Sequence, residues 1–151
     1  MEVGGYKKVM VAIDESESSY YTIKWVLENL QESIRSSGNP LVIFMAEPRP
    51  NHGNTLAPLL APARMYCNIA STAPEFVSSV QERNHMVSVG ILEKAKSLCC
   101  THGIDAETCT IVGEAREAIC DAVQKLNISL LILGDHGTGK LKKVCFSFRP
   151  A

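Results

Sequence analysis

Apolar positions along the chain fall into two kinds of pattern that take turns. Lys8 to Ile13 (KVMVAI), Leu41 to Ala46 (LVIFMA) and Ile128 to Leu133 (ISLLIL) are short, nearly continuous apolar runs, and Ala106 to Val112 (AETCTIV) alternates. Short runs of this kind are what strands of a sheet covered on both faces require. Between them, apolar residues recur at helical spacing. Ile23, Leu27, Leu30 and Ile34 predict one amphipathic helix, with Ser16 or Ser18 as N-cap and an end near Gly38. Phe76, Val80, Val87, Ile91, Ala95 and Leu98 predict a second, stopping at Gly103. Ile119, Val123 and Leu126 predict a third, opened by a turn at Gly113 and closed by Asn127. Strands separated by helices predict an α/β domain, a doubly wound parallel sheet with right-handed crossovers. Ligands of such sheets bind at the carboxyl ends of the strands, near the switch in strand order, and Asp14, Ala46, Gly113 and Gly134 sit at those ends.

One stretch breaks the rhythm. Residues 47–74 hold Pro48, Pro50, Pro58, Pro62 and Pro74, and a segment of that length without a periodic pattern predicts a long, mobile, Pro-rich loop. Composition narrows the rest. At 151 residues, 46% hydrophobic and 21% charged, the chain is sized for a single domain, residues 1–151, around one core. A net charge of −1 gives no basic footprint, so nucleic acid is not an expected partner despite Lys140, Lys142 and Lys143. The start MEVGGYKK has no apolar signal core, Glu2 excludes a myristoylation start, and no apolar run approaches the ~18 residues of a membrane span. A cytoplasmic protein with access to the nucleus, and no membrane partner, is the expectation.

Cysteine usage agrees with that compartment. Cys99, Cys109 and Cys120 fall at positions expected to be apolar, so they read as reduced, buried thiols rather than half of a disulfide framework with Cys67, Cys100 and Cys145. Cys99, Cys100 and His102 lack a second ligand pair to close a tetrahedron, and no metal is expected.

The chemistry concentrates in Leu130 to Lys143, LLILGDHGTGKLKK. A strand that runs into Gly134, Gly137 and Gly139 and then into basic residues is how a backbone approaches a phosphate chain. Glycine permits positive φ and close approach, and the next helical turn offers unpaired N–H groups. The string GDHGTGKL nearly satisfies the P-loop pattern GxxxxGK[ST], but Leu141 stands where a hydroxyl must coordinate Mg²⁺, and the loop follows the last strand rather than an early one.

Read as a whole, the chain resembles the universal stress protein family, the small single-domain plant type. The resemblance is carried by KVMVAIDESESSYYTIKWVLENL, by LVIFMAEP, by the helix with Cys99 and Gly103, and by VGEAREAICDAVQKLNISLLILGDHGTGKLKK, and it covers residues 6–143. It implies the strand order 3-2-1-4-5 and an adenine nucleotide, ATP or AMP with or without Mg²⁺, as ligand. Matched position by position, it places Asp14 against the ribose and phosphates and Val11, Ala12 and Ala46 along the adenine slot. Gly113 becomes a turn beside the ligand, and Gly134, His136, Gly137, Thr138 and Gly139 the phosphate loop. The family pattern G-x-x-G, nine residues, G-[ST] is half kept. Gly134 and Gly137 match, whereas Ser147 and Phe148 replace the second half. The tail from 144 to 151 reads as divergent, with the last helix and fifth strand missing. Weak binding, an impaired family homodimer, marginal stability and an exposed edge at Ile128 to Leu133 are the expectations.

No catalytic set accompanies the site. Ser16, Ser18 and Ser19 lack a base at a defensible spacing, Trp25 reads as packing, and His52, His85 and His102 as solvated. His136 reads as packing on its loop. The chain is therefore expected to be a binding module and not an enzyme. The rival reading is a nucleotide-independent interaction module, or an inactive truncated isoform that associates with complete family members; a thiol redox protein using Cys99 and Cys100 is a third.

Overall fold

The computed structural model describes residues 8–49 and 74–134. Four parallel strands, β1 (Val9–Ile13), β2 (Leu41–Glu47), β3 (Ala106–Val112) and β4 (Leu130–Leu133), form one sheet in the order β3-β2-β1-β4. Helices α1 (Glu17–Asn29), α2 (Gln31–Ser37), α3 (Pro74–Thr101) and α4 (Ala115–Lys125) connect them. The predicted doubly wound parallel fold and its 3-2-1-4 order are those observed.

Strand order dictates the layers. From β1 to β2 to β3 the chain moves one way across the sheet, so right-handed crossovers put α1 and α3 on the same face. The return from β3 to β4 runs the other way and puts α4 on the opposite face. The strand pleat then sorts the side chains. Val9, Val11, Ile13, Leu41, Ile43 and Met45 pack with Ile23, Val26, Leu27, Ile34, Leu92, Ala95 and Cys99. Met10, Ala12, Val42, Phe44 and Leu131 pack with Ala118, Ala122, Val123 and Ile128. β1, paired on both sides, is buried at every position.

Several boundaries differ from the sequence reading. The predicted single helix from Ser16 to Gly38 is two, α1 and α2, meeting at Leu30, where the backbone leaves helical dihedrals at φ −114° and ψ 5°. The Asn29 side-chain amide donates to the Trp25 carbonyl, a local bond that competes with the helical ladder. Gly38 does end α2, in the left-handed region at φ 70°. Strand β4 begins two residues late. Ser129 is occupied instead in a reciprocal pair with Lys8, accepting from its N–H at 3.0 Å and donating to its carbonyl at 2.9 Å. Helix α4 is capped by Glu114, whose carboxylate accepts from the N–H groups of Arg116 and Glu117.

Helix α3 outruns the sheet it covers. At 28 residues it spans roughly 42 Å, against roughly 23 Å for a seven-residue strand. Its carboxyl half carries the buried residues Ser88, Leu92, Ala95 and Cys99. Its end is gripped from α2, where Arg35 donates to the carbonyls of His102 and Gly103 and Gln31 to that of His102.

The cysteines divide. Cys99 is fully buried and Cys109 partly, as expected, but Cys100 and Cys120 are exposed, which corrects the reading of Cys120. Cys120 lies on α4 between the inward Ile119 and the outward Asp121, and an uncharged small residue does not reveal which side it takes. Burial pushes the Cys99 thiol up from its ordinary 9.0 to about 11, with Cys100 adding to the shift. The Cys99 thiol therefore keeps its proton in the folded state after the unfolded chain has lost it. Unfolding free energy should fall as pH rises from about 9 to about 11, and Cys99→Ala should make that slope shallower in urea melts.

Candidate functional site

Parallel register sets three side chains abreast on the α4 face of the sheet. Ala12 pairs with Phe44 of β2 on one side and with Leu133 of β4 on the other. A methyl between two large side chains leaves a hollow. It opens into a cleft of about 140 Å³ at the carboxyl ends of β1, β2 and β4, lined also by Asp14, Ser19, Ala46, Gly134 and, from α4, Ala115 and Ile119. Between β1 and β4 the connections leave the sheet on opposite faces, so this is the switch point where an open α/β sheet receives its ligand. The volume lies well below the ~300–1,000 Å³ of complete small-molecule sites, and leaves room among the described residues for part of a ligand.

The polar rim belongs to the β1–α1 loop. Asp14 Oδ1 accepts three hydrogen bonds, from the Ser16 N–H at 2.8 Å, the Ser16 hydroxyl at 2.5 Å and the Ser19 hydroxyl at 2.8 Å. Ser16 is the N-cap of α1, yet its side chain makes no capping bond to the helix. It turns back to Asp14 and shares a further bond with the Ser18 hydroxyl at 2.7 Å. Asp14 and Ser19 also border a second, larger groove of about 340 Å³ between α1 and α3, where Tyr20, Ile23, Ile91, Lys94 and Leu98 contribute.

Of the site residues expected from sequence, the structure brings Ala12, Asp14, Ala46 and Gly134 together at the cleft. Val11 is placed elsewhere. Its side chain is fully buried among residues facing α1 and α3, because neighbours along a strand point to opposite faces. Gly113 does not line the cleft either. Its N–H extends the β2–β3 ladder by donating to the Glu47 carbonyl at 2.9 Å, and the nearby Ala115 and Ile119 reach the cleft in its stead. His136, Gly137, Thr138 and Gly139 lie outside the described residues, as do the Pro-rich segment from 50 to 73 and the tail from 144 to 151.

Gly134 has a reason of its own to be glycine. Its φ is not positive; the constraint is proximity, since an added Cβ would stand 2.5 Å from Thr22 Oγ1 and 3.5 Å from the Ser18 carbonyl oxygen. Thr22 is buried and its hydroxyl is committed to that same carbonyl at 2.7 Å, so it cannot yield without breaking a bond. The start of α1 thus borders both rims of the cleft: Ser16 and Ser19 bond Asp14, and Thr22 stands close against Gly134.

Glu47 and His85 were not anticipated as a pair. Glu47 closes β2 directly after Ala46, on the face toward α3, with its side chain 3% exposed. His85 Nδ1 on α3 meets Glu47 Oε1 at 2.8 Å, so His85 is not simply solvated. A carboxylate ending an apolar strand run was the available signal, because a buried acid requires a partner. His102 is exposed but bonds the Leu98 carbonyl through Nδ1.

Two expected outcomes test this geometry by urea denaturation. Gly134→Ala should cost about 1–3 kcal/mol, and Thr22→Ala in the same chain should recover part of that loss, a coupling absent if the two do not touch. His85→Ala should cost about 1–3 kcal/mol by taking a partner from a buried carboxylate, whereas His102→Ala should cost little.

Comparison with known proteins places this arrangement in a family. The model of the universal stress protein family matches residues 5–147. Universal stress protein UspA from Lactobacillus plantarum superposes with a TM-score of 0.61 at 16% identity, covering 89% of this chain and 80% of that one. A universal stress protein family member from Arabidopsis thaliana with AMP bound superposes with a TM-score of 0.54 at 18% identity, over 89% and 79%. A universal stress protein in complex with cAMP does so at 0.53 and 21% identity, over 86% and 77%. At such identities these likenesses speak for the fold. No curated protein matches the sequence. A sheet ordered 3-2-1-4 with its cleft at the switch point, and a family model matched from residue 5 to residue 147, lead to one conclusion: the chain belongs to the universal stress protein family.

Proposed function

We propose that this protein is an adenine-nucleotide-binding regulatory module of stress responses, of the small single-domain plant type, and not an enzyme. The observation that carries the reading is the cleft itself. The apolar hollow over Ala12, between Phe44 and Leu133, has room for a base, and the Asp14 carboxylate at its rim offers an acceptor for ribose hydroxyls. Gly134 then leads the chain toward the glycines at 137 and 139, where phosphates would follow. The AMP and cAMP held by the two structural neighbours support adenine nucleotide as the ligand class.

Binding is weak in this proposal, and AMP or ADP binds at least as well as ATP, with or without Mg²⁺. Ser147 and Phe148 stand where the family pattern has a glycine and a hydroxyl residue, so the grip on the outer phosphates is lost while that on the base and first phosphate is kept. The chain works in the cytoplasm, with access to the nucleus, as a single domain whose tail from 144 onward diverges from the family.

A second reading is favoured by one feature. β4 has no strand on its outer side among the described residues, and an open edge can pair with another chain. In that reading the chain is an interaction module or inactive isoform that associates with complete family members, the usual homodimer being impaired. The side chains of Leu130, Leu131 and Ile132 are nonetheless buried, so any pairing would use the backbone edge alone.

Isothermal calorimetry with AMP, ADP and ATP separates the two. The nucleotide reading expects binding of AMP no weaker than of ATP, and its loss in Gly137→Val, where Cβ would fill the phosphate approach. Tight ATP binding unaffected by Gly137→Val would overturn it, and no binding of any nucleotide would leave the interaction module standing.

A further inference from the structure

We propose that Ser19 is a positioning residue for ligand binding, holding the Asp14 carboxylate in the single orientation that serves the cleft. This rests on the nucleotide reading above. Ser19 is 8% exposed, and a buried hydroxyl needs both a donor and an acceptor. It finds both in one residue. The Asp14 N–H donates to Ser19 Oγ at 2.8 Å, and Ser19 Oγ donates to Asp14 Oδ1 at 2.8 Å. The two bonds close a ring through the Asp14 backbone and side chain, so the carboxylate cannot turn about χ1 without breaking one of them.

Ser16 adds two bonds to the same oxygen, from its backbone N–H and its hydroxyl, whereas Ser19 also ties that oxygen to the main-chain N–H of Asp14. Ser16 is only half-buried, and its hydroxyl is shared with Ser18 at 2.7 Å. Nor does the Ser16 side chain act as an ordinary helix cap, since it accepts from no backbone N–H of the first turn of α1. The hydroxyls of Ser16 and Ser19 converge on Asp14.

The need for a lock follows from where Asp14 stands. It borders both the 140 Å³ cleft and the 340 Å³ groove between α1 and α3. A carboxylate free to rotate between two openings would divide its population between them, and a ligand would have to recover that fraction and freeze the rotor on binding. Ser19 lines both openings and, together with Ser16, narrows the choice before the ligand arrives. Releasing it should weaken binding roughly three- to tenfold, the scale of one immobilised side chain.

The test is an NMR titration of the full chain with AMP. Ser19→Ala should weaken AMP binding roughly three- to tenfold, Ser19→Thr should restore it by returning the hydroxyl, and in an Asp14→Ala background Ser19→Ala should change nothing further. If Ser19→Ala does not fold, Ser19→Cys, close in size and a poor hydrogen-bond donor, takes its place. A merely structural serine would lower the melting temperature and leave the affinity of the folded protein unchanged, or weaken binding equally with and without the Asp14 carboxylate; either result overturns the proposal. A wild-type chain that binds no AMP is a different outcome, which removes the nucleotide reading and this proposal with it.

Discussion

Everything in this molecule turns on β1 having a strand on each side of it. A parallel strand bonded on both edges and buried on both faces has no surface of its own, so the strands beside it must be reached through helices. Because the connections toward β2 and into β4 approach from opposite directions, right-handedness sends them to opposite faces. The sheet is left parted at one place, above the carboxyl ends of β1 and β4. The cleft is a consequence of that topology before any residue is chosen to line it.

Residue choice then decides what the opening holds. Ala12 lies between Phe44 and Leu133 in register, and its small side chain is what makes the hollow; a leucine there would fill it. Asp14 is a polar residue that the strand ends on, and the helix that follows bends its hydroxyls back upon it. Thr22 and Ser19 make hydrogen bonds at the start of α1 and also stand at the two rims of the cleft, so a change at either position would alter the helix start and the cleft together.

Much of this was legible in the amino-acid pattern, and the gaps have physical causes. The uninterrupted apolar runs marked β1 and β2 because both faces are covered, and Gly38 and Asn127 marked helix ends through their left-handed backbones. The break at Leu30 was hidden because Leu30 and Ile34 still pack on or near the core across it. Grouping Val11 with Ala12 overlooked the strand pleat, which sends neighbours to opposite faces. Gly134 was read for positive φ and for close approach to a phosphate; its φ is not positive, and its nearness to Thr22 went unseen, since a contact between residues distant in the chain has no local signature. The bond between Glu47 and His85 escaped for the same cause, although the acid at the end of β2 was in plain view.

The length of α3 has a consequence for how the molecule opens. Its carboxyl half is buried on the sheet and tied at its end by Arg35 and Gln31, whereas from Ser78 to Val87 only Val80 and Asn84 are even half-buried, and a His85–Glu47 bond links that part to the sheet. Free energy of local opening follows buried contacts, so one continuous helix here carries two unequal stabilities. Amide exchange along it would be graded, slow from Ser88 to Cys99 and fast toward Pro74. The helix would fray from its amino end while its carboxyl half stays packed on the sheet, which makes the carboxyl edge of the sheet beside Glu47, among the described residues, a place where this fold yields early to solvent.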